Sequence, residues 1–303
     1  MAKAIDKIPP VPQAIIDAAN EKNLSIFVGA GVSKLVGCPR WSELASQVVD
    51  KCFKTKCINY KQRERLSQNT NYKKTITICY HLLAKKGFKN EFFDELQQSL
   101  KGNDNLIRNQ NIYKELAGVP ALHITTNIDE HFDKFFLKER IVYRADDFDP
   151  KRIDRDKLYH IHGSIIDRDS LVFTVPQYIS RYNNDNFKAF LDAIFANFVV
   201  LFVGYGMDEF EVLDYLISKF TPKLSKELKH FILMPYYRGE EDILDFDGFY
   251  FNSMGIRVIG YEKDEMGYHQ LYEVIKNWNY EIMQTSTVLH DEVREIDEAV
   301  DNL

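Results

Sequence analysis

Cysteine is scarce in this sequence, and the four that occur, Cys38, Cys52, Cys57 and Cys79, all lie in the first third of its 303 residues. Cys52 and Cys57 are separated by four residues, and no second Cys or His pair follows at zinc-finger spacing. A metal site is therefore not expected, and the four read as reduced, partly buried thiols. Long apolar runs are also missing. None approaches the roughly 20 residues that cross a bilayer, and the opening "MAKAIDKIPPVPQ" has no apolar core of a secretory signal. The expectation is a cytoplasmic protein with no membrane partner. Basic excess is absent as well: a formal net charge of −6 disfavours nucleic acid as a partner held by bulk charge. Internal repeats and low-complexity segments do not occur. What remains, 45% hydrophobic and 28% charged residues, is an ordinary globular composition in a chain long enough to bury a large core.

The first informative stretch is "SIFVGAGVSKL", Ser25 to Leu35. Ile26, Phe27 and Val28 read as a buried parallel strand. Gly29 and Gly31 permit a tight turn and close approach to the backbone. A helix opening near Ser33 would present free N–H groups that favour an anion. This is the layout of a phosphate-binding turn, although such turns also occur for packing alone. Trp41 to Glu115 then carries helical periodicity, in "WSELASQVVDKCF", "ITICYHLLAKKG" and "NEFFDELQQSL". From Ala121 onward strands and helices alternate: strands "ALHITTNI", "IVYRADDF", "LYHIHGSI", "VVLFVGYG", "HFILMPYY" and "IRVIGYE", and helices "DEHFDKFFLKER", "NFKAFLDAIFANF", "DEFEVLDYLISKF", "EEDILDF" and "YHQLYEVIKNW".

That alternation implies an α/β fold, a doubly wound, mostly parallel Rossmann-like sheet with an inserted helical lobe after the first strand, over about residues 41–115. Residues 1–286 read as one domain, followed by an acidic amphipathic tail over 287–303. Ligands of such sheets sit at the carboxyl ends of the strands. The residues of interest are those just beyond them: Gly29-Ala30-Gly31, Thr126-Asn127-Ile128-Asp129, His162-Gly163 and Gly204-Tyr205-Gly206.

"GAGVS", "TTNID", "IHG" and "VGYG", in that order and each after an expected strand, resemble the sirtuin family from roughly Leu24 to Tyr261. The resemblance implies that Gly29, Ala30, Gly31 and Ser33 cradle the pyrophosphate of NAD. It places Asn127 and Asp129, after Thr126, near the nicotinamide and its ribose, makes His162 the catalytic base, and brings Gly204 and Tyr205 to the nucleotide. Two departures matter. Sirtuin deacylases carry a four-cysteine zinc ribbon between the histidine motif and the late glycine turn, whereas residues 164–203 contain no cysteine. "LVFTVPQYISRY" also replaces the segment that forms their acyl-lysine channel. With "TTN" in place of the deacylases' "TQN", the pattern is similar to the sirtuin-like NAD hydrolases of bacterial anti-phage defence. NAD is then a substrate and no metal is implied.

The chemistry suits so few groups. The nicotinamide of NAD is already cationic and leaves as a neutral molecule without a general acid. What must be supplied is an activated oxygen nucleophile and stabilisation of an oxocarbenium-like ribose. His162 titrates near neutral pH and can deprotonate water directly or through a ribose hydroxyl. Asn127 can hold water or hydroxyls without adding charge; Asp129 can orient the carboxamide or face the ribosyl cation. Plainer readings stand beside these: Asn127 in an Asx turn, Asp129 and Ser33 as helix caps, Tyr205 and Met207 as packing. His160, two residues before His162, reads as a core histidine on the opposite face of its strand.

Two charged stretches complete the reading. Residues 51–74 hold eight Lys and Arg against Glu64, most simply a solvated helical face. The tail is acidic, with Leu289, Val293, Ile296, Val300 and Leu303 in a heptad stripe too short to stand alone. It is expected to dock on this fold, on a second copy in a homo-oligomer, or on a sensor or activating subunit. An ungated NAD hydrolase would deplete its own cell, so a gate is expected. The alternative is a non-enzymatic module that binds NAD or ADP-ribose to regulate a partner.

Overall fold

A computed structural model describes residues 6–206, 212 and 229–301, with the course of the helix alone over 286–301. The helix expected over "DEFEVLDYLISKF", Met207 and the side chains of the tail stripe lie outside the described residues.

Seven parallel strands form one sheet: β1 Leu24–Val28, β2 Leu122–Thr125, β3 Ile141–Val142, β4 Leu158–His160, β5 Val199–Val203, β6 His230–Tyr236 and β7 Ile256–Glu262. Their order is β3-β4-β2-β1-β5-β6-β7. β1 is central, paired with β2 on one side and β5 on the other, Val28 lying opposite both Thr125 and Val203. The chain leaves β1 in one direction and later returns to wind in the other, which opens a crevice at its carboxyl end. Strand alternation supplies two cores. Leu24, Ile26, Val28, Leu201, Val203, Phe231 and Leu233 face one side; Phe27, Leu122, Ile124, Val200, Phe202 and Ile232 face the other. Both faces are covered, as a parallel sheet requires.

Between β1 and β2 run α2 Ala30–Leu35, α3 Trp41–Lys54, α4 Tyr60–Ser67, α5 Tyr72–Lys85, α6 Lys89–Ser99, α7 Asp104–Asn109 and α8 Ile112–Gly118. The apolar stripes of α3, α5 and α6, such as Val48, Cys52, Ile76, Cys79, Phe92 and Leu96, join the core on one sheet face. α1 Gln13–Asn20 precedes the sheet; α9 Val175–Asn183 and α10 Asp185–Asn197 precede β5; α11 Glu241–Asn252 lies between β6 and β7. α12, Gln270–Asp301, continues unbroken into the tail and anchors the amino-terminal segment, Trp278 Nε1 donating to the Pro9 carbonyl at 2.7 Å. No described helix is long and apolar enough to cross a membrane.

Local expectations fail at three points. "DEHFDKFFLKER" is not a helix but two single 3₁₀ turns, Asp133–Phe135 and Lys138–Arg140. Phe132 and Phe136 stack edge-on around His123, and the chain turns extended at Phe136 (φ −125°, ψ 150°) to keep both rings in that cluster. The strand expected over "IVYRADDF" shortens to two residues. The helix after β1 opens at Ala30, not near Ser33, so Ser33 lies inside it and is buried.

The glycines of the first and last turns are packed on each other. Gly31 N–H donates to the Gly204 carbonyl at 2.8 Å, and a Cβ on Gly31 would stand 2.6 Å from that oxygen. Gly31→Ala is expected to force the two turns apart and lower stability by about 1–3 kcal/mol, read as a reduced midpoint in urea. An unchanged midpoint would show that the turns separate freely.

Candidate active site

The loops beyond β1, β2, β4 and β5 meet in two adjoining cavities. The inner one, about 680 Å³, is lined by Ala30, Ser33, Thr126, Asn127, Asp129 and His162, with Trp41, Lys73 and Tyr178 closing it from the helices. The outer one, about 1470 Å³, lies beyond β5, β6 and β7 against Gly31, Gly204 and Tyr205, with Lys34, Arg40 and Lys263 also on its wall. Ala30 and Trp41 border both. Every residue singled out in the strand-end motifs lines one cavity or the other except Gly163 and Gly29, the latter contributing its carbonyl instead.

That carbonyl fixes Asn127. Nδ2 donates to Gly29 O at 2.9 Å and to Tyr113 Oη at 3.1 Å, so both amide hydrogens are engaged and Oδ1 is the atom left for a ligand. Tyr113, wholly buried on α8, is the hub of the network. Its hydroxyl lies 2.9 Å from Ser33 Oγ and 3.3 Å from both Asp129 oxygens, and burial followed by the Asp129 charge pushes its pKa well up, keeping it protonated. Ser33 Oγ donates to Asp129 Oδ2 at 2.5 Å, and the His131 N–H to Oδ1 at 3.1 Å. Ser33 and Asp129 are thus neither of them the simple helix cap that local sequence allows; they hold Asn127 through Tyr113.

Across the cavity, His162 is 4% exposed. Tyr182 Oη lies 2.9 Å from its Nε2, and the Thr126 backbone also faces the ring. Burial, then the charges of Arg181 and Lys73, lower its pKa to about 3. At neutral pH the ring is an uncharged base.

His160 behaves otherwise. Alternation alone would put residues 160 and 162 on the same face, so the opposite-face expectation does not follow from strand geometry; the strand ends at His160, and the turn that follows separates the two rings. His160, wholly buried, places Nδ1 2.9 Å from the Asn127 carbonyl and Nε2 2.7 Å from Asp133 Oδ1. Burial would lower its pKa, but the hydrogen bond and charge of Asp133, with the Asn127 carbonyl, carry it up. A ring between two acceptors is held as a cation, and it pins the backbone of Asn127.

Sequence reasoning missed Tyr113, Arg181, Tyr182 and Lys73. Lys73 was counted in a solvated basic face, yet it stands over the Tyr178 ring (5.0 Å) and reaches the inner cavity. Its neighbours in that stretch do face outward: Arg63 pairs with Asp50 at 2.8 Å on the surface.

Residues 121–259 match the SIR2-like domain family, a range that takes in the second, third and fourth motifs but not the first glycine turn. Over 295 residues, 92% of the chain, the sequence is 22% identical to Defense-associated sirtuin 2 of Bacillus subtilis. The chain spans 27% of that relative's length.

Proposed function

On the premise that this chain belongs to the sirtuin-like family of bacterial anti-phage defence, we propose that it hydrolyses NAD to nicotinamide and ADP-ribose as a gated effector. One observation carries the reading: an uncharged His162 and the free Oδ1 of Asn127 line the same inner cavity, next to a larger cavity bordered by the two glycine turns. A module that only binds nucleotide has no use for a buried neutral base facing a fixed amide.

In this reading the nicotinamide ring enters the inner cavity and the adenosine the outer one, with the pyrophosphate passing Ala30. The C1′–N bond breaks, its electrons going to the pyridinium nitrogen, and nicotinamide leaves neutral. Asn127 Oδ1 accepts from the attacking water or a ribose hydroxyl, and His162 takes the proton as the new C1′–O bond forms. Asp129, already bonded to Ser33 and Tyr113, supplies negative potential at the developing cation. Activity is withheld until an infection signal or partner releases it.

The deciding assay incubates purified protein with and without lysate of phage-infected cells and follows NAD and nicotinamide by chromatography. Stoichiometric release of nicotinamide supports the reading; intact NAD in both arms, with folded protein, refutes it. Substitutions at Asn127 sharpen it. Asn127→Ala is expected to lower turnover by about 10²–10³-fold. Asn127→Asp, though the same size, is expected to cost more stability than alanine, because it turns a second buried carboxylate on the Gly29 carbonyl beside Asp129. Thermal melts showing Asn127→Asp at least as stable as Asn127→Ala would contradict the network.

A further inference from the structure

Two consecutive residues of α9 meet His162, and the hydrolytic scheme uses neither. Tyr182 Oη sits at Nε2, 2.9 Å away, and Tyr182 is not among the residues lining the inner cavity. Arg181 is 6% exposed. Its guanidinium donates to the carbonyls of Ile161 at 2.8 Å, Ser170 at 3.3 Å and Tyr143 at 3.5 Å, and lies over the rings of Phe148 and Phe187. Among the described residues no carboxylate comes within ion-pair distance of it. Burial lowers its pKa to about 10, so it stays charged at neutral pH. A buried cation held by carbonyls alone is costly, and as a peg under the chain an uncharged residue would serve better. What the charge adds is its position: it backs the peptide carbonyl immediately before His162 and faces that ring.

We propose that Arg181 and Tyr182 are positioning residues for the His162 base: the Tyr182 hydroxyl holds the ring at Nε2, while Arg181 fixes the Ile161 carbonyl immediately before it. The proposal rests on His162 being the base of the reaction proposed above. The other groups that face this ring are Lys73 from α5, whose charge acts in the same sense as that of Arg181, Tyr178 from α9 (edge-on, 5.1 Å), and Asn127 and Asp129 across the cavity. Asp146 faces Arg181 and partly offsets its charge. His160 is occupied by Asp133 and by the Asn127 carbonyl.

The test uses the full chain with ¹⁵N-labelled histidine, His162 being assigned by the resonance lost in His162→Ala. Tyr182→Phe keeps the ring and its packing. It is expected to shift the Nε2 resonance to that of an unbonded nitrogen and to lower kcat about tenfold at unchanged KM, as a loosened base should. Arg181→Gln keeps a donor for the Ile161 carbonyl but removes the charge. It is expected to lower kcat at unchanged KM, whereas Arg181→Lys, which keeps a cation on these carbonyls, retains it. An unchanged Nε2 resonance and kcat in Tyr182→Phe overturn the clamp, and so does an Arg181→Gln kcat equal to that of Arg181→Lys. Tyr182→Phe decides the matter even where Arg181→Gln does not fold. The resonances are read without NAD, so a protein that shows this shift but leaves NAD intact would refute the hydrolase reading and not the clamp.

Discussion

His162→Ala is expected to abolish NAD cleavage under conditions that activate the unaltered chain, a fall of about 10²–10⁴-fold for loss of a general base. The fold should survive. The substitution removes the contact between Tyr182 Oη and Nε2, a cost of about 0.5–1.5 kcal/mol, and a ring packed edge-on against Tyr178 and Tyr182. His160→Ala is expected to do the reverse. It leaves Asp133, 10% exposed at its side chain, as an uncompensated buried charge, which costs about 3–5 kcal/mol, and it frees the Asn127 backbone. Chromatography of NAD and nicotinamide with thermal melts separates the two. A folded His162→Ala protein that turns over at near-normal rate would remove His162 from the mechanism. A His160→Ala protein as stable as the parent would show that the buried pair carries no net stability.

How far such roles could be read without coordinates varies with where each residue sits. The strand-end residues were legible because two local patterns coincide: an apolar run ending in glycine or asparagine marks a strand terminus, and the carboxyl edge of a parallel sheet gathers such termini. Gly31, Asn127, Asp129, His162 and Gly204 follow from that alone. Tyr113 and Lys73 do not. Each sits on a helix with a periodicity that explains it equally well as core or surface, and only the docking of the lobe brings it to the cavity. Arg181 was hidden for a different reason: its partners are backbone carbonyls, which leave no mark on side-chain spacing. The failure over residues 129–140 has a third cause. "DEHFDKFFLKER" has helical spacing, but aromatic packing of Phe132 and Phe136 about His123 outweighs the few tenths of a kcal/mol per residue that propensity offers. Ser33 shows the limit of capping rules. A serine after a glycine turn suits a helix start, yet here Gly29 takes the cap position and the hydroxyl serves Asp129.

Acid should unfold this protein well before its carboxylates are titrated, and the cause lies in three buried neutral histidines. Burial lowers the pKa of His123 to about 4, of His230 to about 4 and of His162 to about 3. Each has a structural reason to refuse a second proton. His230 Nδ1 accepts the Val200 N–H at 3.2 Å, and His162 Nε2 is capped by Tyr182. His123 donates Nε2–H to the Leu116 carbonyl at 2.8 Å, and among the described residues its Nδ1 has no partner to receive a new N–H. In the unfolded chain all three bind a proton from about pH 6.5 downward. Their folded values lie below the unfolded ones, so between pH 6.5 and about 4 the unfolded state holds more protons and stability falls as pH falls. From pH 7 to pH 5 the loss is about 2 kcal/mol for each and about 6 kcal/mol for the three, a large part of a typical domain's stability. His160, with its pKa raised, runs the other way and returns part of this as pH falls. Urea midpoints at pH 7, 6 and 5 measure the slope, and His123→Gln, which keeps a donor for Leu116 but cannot titrate, should remove about a third of it. A slope that His123→Gln leaves unaltered would mean that His123 does not carry its share of the acid lability.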